Sequence, residues 1–397
     1  MGRRASELRG WGARVSKAVR ELKPSKIREM SVRAARFEDA ISLGIGEPDF
    51  PTLPEVCQDA LRDALEGATH YAPSQGDPEL LEALRGYLES HYGLPLRPEN
   101  LLITSGGMGA LTALFRTVLD PGDEVLVPEP HFPEYRAHIE LAGGRLRHVS
   151  TRLEEDFVPR PEEVERSITS RTKVLLLNSP NNPTGSVIPA RVMDRLARIA
   201  IEADLLVACD EVYDRLVFDG RSHQSMVTRP GMAERTVVIG SFSKTFAMTG
   251  WRLGYAFGPA DLMAEMTKVV TYYTSCASSV SQRAGLAALR TGRKSVEAML
   301  QEFQKRRDLV YEALSAIPGV RVSRPAGSFY IFPNLDRITR DTESFAIELL
   351  ERERVVVVPG EPFGPSGRDC VRMAFTVGTD KLRQAMERFT RFVKRYR

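Results

Sequence analysis

Apolar residues along the chain fall into short, near-continuous runs that alternate with turn-rich segments and helical patterns. LLIT (Leu101–Thr104), a strand after the turn in DPGDEVLVPEP, TKVLLLN (Thr172–Asn178), a strand closed by Asp210 within LLVACDEVYDRLVFDG, and TVVIG (Thr236–Gly240) are the runs that read as strands. TKVLLLN holds a near-continuous apolar run, as expected of a strand covered on both faces. Between these runs lie helical stretches, SGGMGALTALFRTVL and VMDRLARIAIEAD among them. Strand, loop and helix in repeated order predict an α/β fold with a large domain built on a mainly parallel, doubly wound sheet. Upstream, Asp77 before Pro78 reads as an N-cap and first helical position, opening the amphipathic helix of PELLEALRGYLESHY.

The texture changes after a long amphipathic helix, roughly Lys294–Ile317. Short strands (Arg321–Ser323, Phe329–Pro333, Val355–Val358, Val371–Phe375) then mix with helices and predict a smaller α+β domain. The division expected is an N-terminal arm over residues 1–22, a small domain from 23–52 and 293–397, and a large domain over 53–292.

At 397 residues, two domains are the expectation. A net charge of +3, from 55 basic and 52 acidic residues, gives no ground for a nucleic-acid partner, although the first 23 residues are locally basic (Arg3, Arg4, Arg9, Arg14, Lys17, Arg20, Lys23). No apolar run reaches membrane-spanning length and no signal-type apolar stretch follows the basic start, so a cytoplasmic location without membrane attachment is expected. The start MGRRAS matches a myristoylation pattern formally, but so short a pattern arises by chance. The four cysteines form no CxxC pair and the six histidines no HExxH, so free thiols and no metal site are expected.

Candidate chemistry sits at the strand ends. Asn178 and Asn182 follow one strand, Asp210 closes the next, and Ser241 to Lys244 follow a third. In an open α/β sheet, ligands bind beyond the carboxyl ends of the strands, so these clusters can meet on one ligand. Lys244 stands among small and hydroxyl residues, and an amine nucleophile there requires its pKa to fall from about 10.4. SGGMGAL, with Gly106, Gly107 and Met108, places glycines at a helix N-terminus, a phosphate site or simply a tight turn. It is neither GxGxxG nor a Walker loop, which counts against a nicotinamide dehydrogenase. Asp210 is either a helix cap or an acid held against a buried cation, whose pKa would then fall by about 1–3 units. Tyr213 can donate from its phenol, Asn182 precedes a proline and is a candidate cis position, and Phe132 is either core or a surface for a flat ring.

Taken in order, SPNNPTG, DEVYDRLVF, SFSKTFAMTGWRLGY and VRMAF resemble the class I/II aminotransferases of the fold-type I pyridoxal-phosphate enzymes, the aspartate aminotransferase superfamily. The resemblance runs from about Lys23 to the C-terminus. It implies pyridoxal 5′-phosphate as cofactor and a ping-pong transfer of an amino group between an L-amino acid and a 2-oxo acid such as 2-oxoglutarate. It implies that Lys244 forms the internal aldimine and moves the proton, and that Asp210 pairs with the pyridine nitrogen. Tyr213 and Asn182 then bond the phenolic oxygen, and Phe132 stacks on the ring. Gly106, Gly107, Met108, Ser241 and Arg252 bind the phosphate. Arg372 clamps the substrate α-carboxylate, with Gly46 as a backbone contact. Tyr71 reaches the phosphate held by a neighbouring subunit, which makes the active unit a homodimer.

One aspartate-preferring subgroup carries lysine where this chain has Met108, and often tryptophan at the position of Phe132. The pocket segments Ile27, Leu43 to Ile45 and Met108 show no replacement cation. The expected substrate therefore has a neutral aromatic or aliphatic side chain. Aspartate transamination and a C–S β-lyase of the same fold are the alternatives. A pyridoxal-phosphate-dependent transcription regulator is disfavoured, because no helix-turn-helix-sized segment precedes the match and Lys244, Asp210 and Arg372 are all present.

Overall fold

The structure is a computed structural model and describes residues 14–396. The MGRRAS start and Arg3, Arg4 and Arg9 of the basic arm lie outside these residues.

The strands run in chain order β1 (Ile41–Ser42), β2 (Leu101–Thr104), β3 (Glu124–Pro128), β4 (Arg145–Val149), β5 (Thr172–Asn178), β6 (Leu206–Asp210), β7 (Thr236–Ser241), β8 (Gly254–Phe257), β9 (Tyr330–Ile331), β10 (Val355–Val356), β11 (Val358–Pro359) and β12 (Val371–Ala374). Seven of them form one sheet in the order β2-β8-β7-β6-β5-β3-β4. The pairs β3/β4, β3/β5, β5/β6 and β6/β7 are parallel; β8 alone runs against its neighbours β7 and β2. The mainly parallel α/β fold read from the sequence is therefore the one observed.

Side chains alternate across this sheet. Leu175 and Leu177 of β5 enter one hydrophobic cluster, whereas Val174 and Leu176 enter another. Both faces are covered by helices, which is why β5 needs apolar residues at consecutive positions. Two sheet members are absent from the sequence-based strands. β4 reads RLRHV and sits at the edge with Arg145 exposed, so it lacks a buried strand's apolar run. β8 is GYAF, only four residues long, and the chain doubles back into it through 242–253.

A third cluster joins Met30, Ile41 and Leu43 to the helix Arg293–Ser315, to β9, β10 and β12, and to the helix Thr379–Arg395. The predicted strand at Arg321–Ser323 is reduced to a single bridge, Arg321 to Asn334. Tyr213, Leu216 and Phe218, just after β6, also enter this third cluster. The segment leaving the sheet is thereby anchored against the C-terminal part of the chain. Asp77 caps its helix as expected, accepting from the Glu79 and Leu80 amides at 2.9 and 3.2 Å.

Among the described residues no helix is long and apolar enough to cross a membrane.

Candidate active site

Adjacent parallel strands bring their last residues into one row: Asn178 of β5 pairs with Asp210 of β6, and Asp210 with Ile239 of β7. Asn178 Nδ2 donates to the Asp210 carbonyl at 2.8 Å and Asn178 Oδ1 accepts from the Asn182 amide at 2.8 Å. One asparagine thus ties the SPNNPTG turn to the strand end that carries Asp210. The Asn182–Pro183 bond is cis.

A cavity of about 460 Å³ opens over this row, a volume suited to a small organic ligand. Gly46, Gly107, Met108, Phe132, Asn182, Asp210, Tyr213, Ser241, Lys244, Arg252 and Arg372 all line it. Gly106 stands behind Arg252 rather than on the wall, and Tyr71 lies elsewhere, 89% exposed. Leu43 is buried in the third cluster and does not reach the cavity.

Lys244 lies on the short helix Phe242–Thr245, directly after β7. Its Nζ donates to the Gly46 carbonyl at 2.6 Å and lies 5.8 Å from the Phe329 ring centre. Burial lowers its pKa to about 8; Glu47 opposes this, while Arg252 and Arg372 add to it. A lysine at that value carries an appreciable fraction of free amine near neutral pH.

Asp210 closes β6 and is itself buried. Burial raises its pKa to about 6, and the Tyr135 phenol, at 2.5 Å from Oδ2, and the Val212 amide only partly offset that. No cation of the chain is ion-paired with it among the described residues, so desolvation dominates. Its neighbour Glu211 turns away and accepts from Tyr92, Ser225 and His223 at 2.9, 2.6 and 2.7 Å. Those bonds fix the turn between Asp210 and Tyr213.

At the other side of the cavity, the helix Gly106–Val118 presents its first turn without a side-chain cap from Ser105, leaving the free amide N–H groups that suit an anion. Arg252, at φ 52°, donates from Nη1 to the Thr249 carbonyl at 2.8 Å. Its guanidinium passes so close to Gly106 that a Cβ there would lie 2.6 Å from Nη2. Ser241 Oγ accepts from the Ser243 amide at 3.1 Å.

Arg372 on β12 is 1% exposed. Nη1 donates to Asn182 Oδ1 at 3.1 Å, Nη2 donates to the Gly44 carbonyl, and Nε has no partner. Its guanidinium lies 4.7 Å from the Tyr330 ring centre and 5.2 Å from that of Phe363. Tyr213 and Tyr330 share a hydrogen bond at 3.2 Å. A Cβ on Gly46 would collide with the Tyr330 hydroxyl, so only glycine lets this backbone pass there.

Sequence reasoning missed Tyr135, Tyr330, Glu134 and Arg28. The expectation that no replacement cation stands near the substrate side is corrected by Arg28, which lines the cavity with Ile27 and Ser31 from the helix Lys26–Ala34. Positions 27, 28 and 31 share a helix face, so the packing of this helix carries Arg28 in beside Ile27.

The chain matches the model of the family described as aminotransferase class I and II over residues 38–389. It is 39% identical over 376 residues to the aspartate aminotransferase of Pyrococcus horikoshii, covering 94% of this chain and 96% of that one. It is 41% identical over 389 residues to the aspartate/prephenate aminotransferase of Thermus thermophilus, covering 96% and 99%. The aromatic-amino-acid aminotransferase 2 of Thermococcus litoralis is 38% identical over 384 residues, covering 96% and 98%. The structure of the Thermus thermophilus aspartate aminotransferase with maleate superposes with a TM-score of 0.91 at 40% identity, covering 95% of this chain and 99% of that one. The chain belongs to the class I and II aminotransferase family and is a transaminase of fold type I.

Proposed function

We propose that this transaminase moves an amino group between an L-amino acid with a neutral aromatic or aliphatic side chain and a 2-oxo acid such as 2-oxoglutarate, with pyridoxal phosphate as cofactor. Members of the family depend on pyridoxal phosphate, and the residues present fit that group. Arg252, the uncapped helix start at Gly106 to Met108 and Ser241 make a cradle for a phosphate. Asp210 is a buried acid that lacks a cation, as a partner for a protonated pyridine nitrogen should be. Asn182, Tyr213, Phe132 and Lys244 line the same cavity, which supports the reading that Asn182 and Tyr213 bond the ring's phenolic oxygen, Phe132 covers its face and Lys244 holds it covalently. Bound there, the cofactor supplies the electron sink for deprotonation at the substrate Cα.

The chain's own residues do the rest. Arg372 binds the substrate α-carboxylate, for which a guanidinium fork is suited, and the Gly46 backbone supports that contact. Once released from the cofactor, Lys244 Nζ would take the proton from the substrate Cα and deliver it to the cofactor's carbonyl-derived carbon, which its lowered pKa favours. On the proposed division into a small domain (23–52 and 293–397) and a large one (53–292), Arg372 and Lys244 come from different domains. We place the working unit in the cytoplasm as a homodimer, with Tyr71 completing the phosphate site of the other subunit.

The observation that carries this reading is Lys244, an amine lowered to about 8 and facing Asp210 and Arg372 across one cavity. Borohydride reduction of the yellow holoenzyme should bleach it and leave the label on Lys244. A donor panel with 2-oxoglutarate should rank neutral side chains first. Label on another residue would remove Lys244 from its role, and aspartate leading by a wide margin in kcat/KM would remove the neutral-side-chain preference.

A further inference from the structure

Arg28, Lys244, Arg252 and Arg372 all line the cavity, and among the described residues none is ion-paired with a carboxylate. Lys244 and Arg252 each donate to a backbone carbonyl, and Arg372 donates to one and to an asparagine. Cations left unpaired beside a cavity suit anionic ligands. On the function proposed above, Arg252 meets the phosphate, Arg372 meets the α-carboxylate, and Lys244 works as a neutral amine. Arg28 is left over, with no hydrogen bond to any described residue.

A lone arginine at a cavity mouth is commonly just solvated. Glu134 makes this one different. It lines the same cavity, and its Oε1 accepts from Ser25 Oγ at 3.2 Å, while Oε2 is buried and has no partner. Burial raises its pKa, with Arg372 and Arg28 acting against that. A buried acceptor without a donor therefore stands near an arginine without an acceptor, and no ion pair joins them. Leaving such a group unsatisfied costs about 1–3 kcal/mol, so the arrangement fits a site awaiting a further group.

We propose that Arg28 receives the second carboxylate of a dicarboxylic substrate and that Glu134 takes up Arg28 when the substrate side chain is neutral. The inference rests on the amino-transfer reading above and names the residue serving the dicarboxylic half of the cycle. A ping-pong enzyme must admit both its substrates to one pocket. Around Ile27, Ile45, Met108 and Phe132 the wall is apolar, which suits a neutral side chain but offers a carboxylate nothing. A flexible arginine with an acid nearby resolves the conflict. It forks onto the substrate carboxylate when there is one and onto Glu134 when there is none, so the arginine has an anionic partner with either filling.

The test is calorimetric binding of maleate and of hydrocinnamate to the full-length holoenzyme, as wild type, Arg28→Gln, Arg28→Lys and Glu134→Gln. The ratio of maleate to hydrocinnamate affinity should fall about tenfold or more in Arg28→Gln, as loss of a charged hydrogen bond predicts. Arg28→Lys keeps the charge without the fork and should fall between. Glu134→Gln removes the competing anion and should raise the ratio. A ratio within about twofold of wild type in both Arg28 variants overturns the assignment, since a factor of two is well below one charged contact. Equal weakening of both ligands in those variants also overturns it. A ratio that does not rise in Glu134→Gln overturns the part given to Glu134. A donor panel led by aspartate would end the neutral-donor reading while leaving this ratio to be read on its own.

Discussion

Tyr135 donates its phenolic hydrogen to Asp210 Oδ2 at 2.5 Å, from 75 residues away in sequence. Both residues are buried, and the bond favours the ionised carboxylate, partly offsetting the burial that raises Asp210 to about 6. In Tyr135→Phe the Asp210 pKa should rise further, because the donor to its charged form is gone. The acidic limb of the kcat/KM profile should then move to higher pH, and turnover at pH 7 should drop about tenfold, the worth of one charge-assisted bond. A pH–rate profile that does not move would show that Tyr135 only packs.

Gly106 answers a different constraint. Its φ is +74°, and an added Cβ would meet Arg252 Nη2 at 2.6 Å. Gly106→Ala should cost about 1–2 kcal/mol of stability from the backbone alone, and it should push the Arg252 guanidinium aside. Pyridoxal phosphate affinity, read by fluorescence titration, should fall about tenfold or more. Arg252→Ala should lose similar affinity without the backbone cost. Wild-type affinity in Gly106→Ala would remove the cradle.

Much of the fold was legible because the central strands are buried on both faces and so cannot hide their apolar runs. β4 was not, since an edge strand tolerates Arg145 and Arg147 on alternate positions, and β8 was too short to separate from the motif around Lys244. In the site, Asn178, Asp210 and Lys244 stood out as polar residues ending apolar strands. Tyr135 looks like any helix aromatic, and Tyr330 like any core tyrosine, until the fold supplies Asp210 and Tyr213 as their partners. Arg28 and Glu134 belong to helices whose orientation only tertiary packing decides.

Lys244 gives a pH dependence with a definite sign. Burial lowers its folded pKa to about 8, against about 10.4 in an unfolded chain. Between those values the unfolded state binds more protons, so this group makes stability rise with pH across the window. Below about pH 8 the full cost of the buried ammonium stands. Cofactor-free Lys244→Met should therefore be more stable than cofactor-free wild type at pH 7, by about 1–3 kcal/mol once residual solvent access is allowed for. The gap in denaturation midpoint should close towards pH ~10.4. A gap that is independent of pH would assign the change to packing rather than to charge.

Tyr71 allows the proposed sharing of sites between subunits to be tested without a structure of the dimer. It is 89% exposed and absent from the cavity of its own chain. If it serves the opposite site, Tyr71→Ala and Lys244→Ala should each be nearly inactive alone, yet recover activity when refolded together. In the mixed dimer, the site holding Lys244 receives its tyrosine from the Lys244→Ala subunit and is wild type throughout, while the other site lacks both. Random pairing through a two-fold interface makes about half the dimers mixed, each with one competent site, so roughly a quarter of wild-type activity should return. Activity that stays at the sum of the two single variants would place Tyr71 outside the site.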